Sequence, residues 1–198
     1  VTRKENAVAE LSGVASTESG MLAIFSPEEF AGVRDQASWA AELGSAEKIR
    51  ERIVAGGLVP VNIGGDGAWQ VVLRADGTGL TEREDRYLML SSEPYLLVCH
   101  GIAHIGGIEE VCAEPEDTGL PLRPGRYSVV VHLIEWEAEP GSRDADGQPA
   151  ADALPDFVVL LEWDAPLVSD LAPSGPFAPV YRQELMTFDA AQRVSPNC

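Results

Sequence analysis

The chain has 198 residues, 45% of them hydrophobic, and sets 32 acidic against 14 basic side chains for a formal net charge of −18. Apolar content at that ordinary level separates it from disordered acidic tails, and no apolar run approaches the ~18 residues of a membrane span. The charge repels nucleic acid and anionic membrane and attracts basic partners; it is concentrated over residues 109–170, which hold fifteen acids and three arginines.

Residues 1–18 are polar and aperiodic and read as a frayed terminus. Met21 to Phe25 is a short apolar run. Ser26 as N-cap, Pro27 at the first helical position and Glu28-Glu29 behind it then predict a helix start, with Phe30 and Val33 facing inward. A second helix is expected from Gln36 to Leu43. A third follows Ser45, carries Ile49, Ile53 and Val54 at helical spacing, and stops at Gly56-Gly57.

Beyond that pair the period becomes extended. Leu58 to Ile63 and Ala68 to Arg74 read as two strands joined by a hairpin-type turn at Gly64-Gly65-Asp66-Gly67. Leu80 to Arg86 is a charged connector. Tyr87 to Leu90 and Tyr95 to Cys99 are further strands, whereas residues 102–112 fit no period. After Pro124-Gly125, Arg126 to Glu137 is a long strand, and Phe157 to Trp163 is another with similar wording, as expected of sheet neighbours. The segment 138–155 between them exceeds the usual loop length and reads as flexible and acidic. A proline-rich stretch (Pro173, Pro176, Pro179) and a final element, Val180 to Phe188, close the chain. The expected fold class is α+β: one domain, with a subdivision near 114–124 as the variant. Its N-terminal helices, within 27–55, pack on a mainly antiparallel sheet or sandwich built from 58–99 and 126–163.

No motif carries recognisable catalysis. Cys99, His100, His104 and Cys112 are zinc-type ligands, but their spacing matches no standard site, so core cysteines and turn histidines are the expectation. The odd count of three cysteines is unlike a disulfide framework and suggests two buried thiols, with a Cys99–Cys112 bridge as the alternative. Asp144-Ala145-Asp146-Gly147 resembles only a fragment of a calcium loop. There is no nucleophile elbow and no phosphate loop. Trp39, Trp69, Trp136 and Trp163 are expected in the core, the other reading being exposed platforms for sugar or partner.

The opening Ser19-Gly20-Met21-Leu22-Ala23-Ile24-Phe25-Ser26-Pro27-Glu28, Trp39 after it, the Val59-Pro60-Val61…Gly64-Gly65…Trp69 segment and the overall acidity resemble the small immunity proteins encoded beside bacterial polymorphic toxins. The likeness covers the first half of the chain. It implies a cytoplasmic, non-catalytic protein that neutralises a toxin by covering its active site, and it assigns no residue roles; from the residues, no cofactor and no metal are expected. The expected partner is therefore a basic protein, not nucleic acid and not membrane. The expected contact residues are Glu135, Glu137, Glu139, Asp144, Asp146 and Asp152. A small-molecule or carbohydrate-binding β-domain, a metalloenzyme on the Cys/His set, and acidity that serves solubility alone are the competing readings.

Overall fold

The computed structural model describes residues 9–75, 77, 79–115 and 119–167, and the backbone of 188–189. Two β-sheets face each other. The first has the order β1 (Ala9–Thr17), β4 (Gly67–Ala75), β10 (Phe157–Ala165), β9 (Gly125–Ile134), with β5 (Leu88–Ser91) and β6 (Tyr95–Cys99) following one another along the far side of β9. The second has the order β11 (Phe188–Asp189), β3 (Leu58–Asn62), β2 (Met21–Phe25), β7 (Ile102–Gly107), β8 (Leu120–Pro121). Pairing is antiparallel except for β10 with β4 and β11 with β3. The similar wording of the two long strands has the expected cause, since β9 and β10 pair directly.

The core between the sheets follows from period-2 alternation. Tyr127, Val129, Val131 and Leu133 of β9 point inward, as do Phe157, Val159 and Leu161 of β10 and Val71 and Leu73 of β4. A smaller core lies on the opposite face of the first sheet, where Val72, Ile134 and Val158 meet Trp136 and Leu154.

Two helices flank the sandwich. α1 (Gln36–Leu43) is capped reciprocally by Asp35 and Ser38. α2 (Ala46–Ala55) is capped by Ser45 and ends at Gly56, whose φ of 78° only glycine adopts readily. The Gly56 carbonyl accepts the Val98 N–H at 2.8 Å, so α2 is tied to β6 as well as preceding β3. Trp39 donates its indole N–H to the Ile108 carbonyl at 2.9 Å.

Several expectations are corrected. The polar stretch before residue 18 contains β1, whose small residues obscure its alternation and whose pairing with β4 is entirely non-local. The helix expected at Ser26 is a single 3-10 turn, Pro27–Phe30, because Ser26 spends its hydroxyl on Glu28 and on the His100 N–H instead of capping. Phe30 and Val33 are nevertheless buried. The turn at 64–67 does not close a hairpin, since β3 and β4 belong to different sheets. The connector at 80–86 contains a short capped helix, α3 (Glu82–Arg86). The strand expected to reach Glu137 ends at Ile134. The expected sheet therefore omits the two N-terminal strands, and the helices follow these instead of leading the fold. The proline-rich stretch and residues 180–187 lie outside the described residues.

The outer face of the first sheet also carries a titratable group. His132 of β9 meets the Ser91 hydroxyl at 2.8 Å through Nδ1, while its Nε2 is buried without a partner. Burial holds this imidazole below its ordinary value of 6.5, against an opposing pull from Glu84. As pH falls below about 6.5, the unfolded chain binds a proton that the folded protein accepts only at lower pH. The contribution of His132 to stability is therefore complete above that value and is lost as pH falls through the folded value. We expect the stability difference between wild type and His132→Asn, from urea unfolding, to shrink between pH 7.5 and 5.5. A constant difference would show that the imidazole titrates as if in solvent.

Candidate protein-interaction surface

The segment 135–156 is not a flexible loop. After β9, a 3-10 turn, Trp136–Ala138, drops Trp136 into the smaller core, where its indole N–H donates to Asp156 Oδ1 at 3.0 Å. The other carboxylate oxygen of Asp156 accepts the Gln70 N–H at 2.9 Å, which fixes the far end of the segment to β4. Leu154 is buried beside Trp136. Between these anchors the backbone folds on itself. Arg143 bridges Pro149, the Asp144 N–H donates to the Gln148 carbonyl at 2.8 Å, and the Ala150 N–H donates to the Ser142 carbonyl at 2.7 Å.

The six expected contact residues divide by what they do here. Asp144 is exposed and bonds its own turn, its Oδ1 accepting the Asp146 and Gln148 N–H groups, each at 2.9 Å. That is a turn-forming carboxylate, which replaces the calcium-loop reading. Glu139 is clamped by both arms of the Arg83 guanidinium at 2.6 Å, and these hydrogen bonds hold its carboxyl below the usual range. Arg83 also donates to the Asp152 carbonyl at 2.8 Å, bracing the segment against α3. Glu137 pairs with Arg143 at 2.9 Å. Glu135, Asp146 and Asp152 are exposed and their carboxylates lie outside these bonds. Glu135 does not share a strand face with Glu137, because the strand has already ended.

The structure thus brings all six acids onto one ordered segment, three engaged in holding it and three projecting. Sequence reasoning missed Arg83, Asp156 and Gln70. Nothing local to 135–156 signals the first and last, which come from α3 and β4; only the Trp136…Asp156 spacing was readable in principle.

The Cys/His set is dispersed by role. Cys99 is buried, and burial pushes its thiol up; Cys112 is half-buried, and both thiols are free. His100 meets Glu29 at 2.6 Å, while His104 packs against Phe25 with ring centroids 5.9 Å apart. Among the described residues no three His, Cys, Asp or Glu side chains gather as metal ligands. None of the four tryptophans is exposed. Trp136 is buried and the other three are half-buried, Trp163 lying under the Arg123 guanidinium and edge-on to Tyr127. No helix among the described residues is long and apolar enough to cross a membrane.

No family model matches the sequence, and no curated protein matches it. Among solved structures, "Crocagin biosynthetic gene J" aligns over 80% of this chain and 97% of its own, at 19% identity and a TM-score of 0.54. This chain has a similar fold. ComJ of Bacillus subtilis, an inhibitor of the DNA degrading activity of NucA, aligns over 80% of this chain and 99% of its own, at 12% identity and a TM-score of 0.48. The first likeness is one of architecture and assigns no chemistry.

Proposed function

We propose that this chain is a non-catalytic acidic interaction protein that neutralises a basic partner, in the manner of a bacterial immunity protein bound to its toxin. The observation that carries the reading is the construction of the segment 135–156. It presents Glu135, Asp146 and Asp152 on a frame held by Trp136, Asp156, Arg83 and Arg143. Carboxylates on a frame that is already ordered attract a basic surface without the entropic cost of ordering a loop on contact. The net charge of −18 steers the same class of partner from a distance. The carbohydrate-platform reading is weaker because it requires an exposed tryptophan.

The test is capture from a native lysate with the purified chain as bait, washed first at low and then at high salt. A basic protein retained at low salt and released at high salt is the expected result. Retention of no basic protein at either salt would remove the reading.

A further inference from the structure

We propose that β1 is a docking edge for an extended, basic segment of the partner, which adds to the first sheet as a further strand beside Ser12-Gly13-Val14. The inference rests on the functional reading above and names where the partner's main chain engages.

β1 is the outermost strand of its sheet, and among the described residues nothing pairs with its outer side. Sheet edges left open in this way are normally blunted by lysine, proline or a bulge. β1 has none of these: its nine residues pair with β4 in unbroken register, and its one charged side chain, Glu10, is engaged by Arg74 at 2.6 Å. Two clefts flank the same three residues. One, of about 320 Å³, lies on the core-facing side between Leu11, Val71, Leu73 and Ile105. The other, of about 330 Å³, lies on the opposite face between Gln70, Val72, Ala153 and Pro155. Successive side chains of a strand point to opposite faces. An added strand would therefore place alternate side chains in the two clefts while its main chain bonds to the edge, as in recognition by strand addition.

Two residues of β1 have no internal explanation. Val14 is 68% exposed, the most exposed large apolar side chain among the described residues. Gly13 sits mid-strand without positive φ, and a Cβ there would meet nothing within 4 Å, so the fold itself does not require glycine. With no side chain at Gly13, the core-facing cleft stays open beside the edge. The second cleft is continuous with the acidic segment through Ala153 and Pro155, next to the exposed Asp152. That continuity sets the chemistry of the occupant: an extended segment alternating apolar residues with lysine or arginine.

The experiment uses two synthetic nine-residue peptides of equal composition and charge. In one, valine alternates with lysine and arginine and proline is confined to the end; in the other, proline stands at the centre, where it interrupts strand pairing. Affinity is measured by fluorescence anisotropy at low and high salt, and hydrogen exchange is followed at residues 10–14. The alternating peptide is expected to bind, to slow exchange at 10–14, and to bind the Gly13→Tyr variant roughly tenfold or more weakly, since the tyrosine fills one cleft. Gly13→Ala, which leaves the cleft open, is expected to bind as wild type. The Tm of both variants is expected to stay within about 2 °C of wild type. Should Gly13→Tyr fail to fold, Val14→Tyr fills the opposite cleft without adding charge and gives the same readout.

Equal, salt-sensitive binding of both peptides would overturn strand addition and leave the acidic reading standing. So would binding undiminished in Gly13→Tyr, or exchange at 10–14 that is already slow without peptide because another segment or a second copy covers the edge. Binding of neither peptide at low salt would discard both.

Discussion

Replacing Arg74 by alanine is expected to destabilise the protein by about 3–5 kcal/mol. Arg74 lies on β4, facing away from the main core and only 8% exposed. Its guanidinium makes a bidentate pair with Glu84 at 3.0 and 3.1 Å, bonds Glu10 at 2.6 Å, and donates to the Gly79 carbonyl at 2.9 Å. Glu84 is itself buried and also accepts the Thr81 N–H at 2.6 Å, closing the cap of α3. Burial pushes the Glu84 carboxyl up, but the Arg74 hydrogen bonds and the Thr81 amide outweigh it and leave it below its usual range. Without Arg74 that carboxylate stays buried with no counter-charge, which is the costly half of breaking a pair. For a chain of this length the loss corresponds to roughly 6–20 °C in Tm. Converting both partners, Arg74→Met with Glu84→Met, is expected to recover part of it, because an apolar pair leaves no charge stranded. A fall in Tm below about 2 °C for the single variant would show that the cluster contributes little.

Trp136→Ala is expected to cost about 3–5 kcal/mol as well, and here the loss reaches the candidate surface. Trp136 fills the smaller core with Val72, Ile134, Leu154 and Val158, and the Arg143 guanidinium lies over its outer side at 5.2 Å from the ring centroid. Alanine at this position empties the core beneath the segment 135–156 and removes the indole bond to Asp156. Hydrogen exchange at residues 142–150 should then accelerate by more than the global loss of stability accounts for. Trp136→Phe keeps most of the packing and removes the bond to Asp156, so it is expected to cost about 1 kcal/mol and leave exchange in the segment close to wild type. An alanine variant within about 1 kcal/mol of wild type would mean that the tryptophan does not anchor the segment.

The parts of this structure legible in sequence are those whose signals are local. α1 and α2 lie where apolar spacing, Ser45 and Gly56-Gly57 place them. β3, β6 and β10 follow from apolar runs bounded by turn residues. What sequence reasoning missed depends on partners distant along the chain. β1 reads as a polar terminus because its inward positions carry the small Gly13, Ala15 and Thr17 while the apolar Val14 points outward, and only β4, about fifty residues later, turns it into a strand. The glycine turn after β3 looks like a hairpin because its chemistry is that of a tight turn; which sheet the next strand joins is decided by β10 and β1. At the candidate surface, acidity and length single out 138–155 as a loop, but its internal bonding was hidden. Arg83 comes from α3 and Gln70 from β4, and Asp144 acts on its own backbone in place of a ligand. For that reason Glu137 and Asp144, natural choices for charge reversal from sequence, are poor probes, since changing them would loosen the frame.

In the proposed role, Glu135, Asp146 and Asp152 attract a basic partner from a preformed frame. This role is tested most directly by the association rate of the captured basic protein with wild type and with the Glu135→Lys, Asp146→Lys, Asp152→Lys triple variant, measured by stopped flow across a range of ionic strength. The rate at low salt is expected to be lower by about tenfold or more in the triple variant, with the two curves converging at high salt. Identical rates and identical salt dependence in a variant that retains the wild-type Tm would contradict the proposed role.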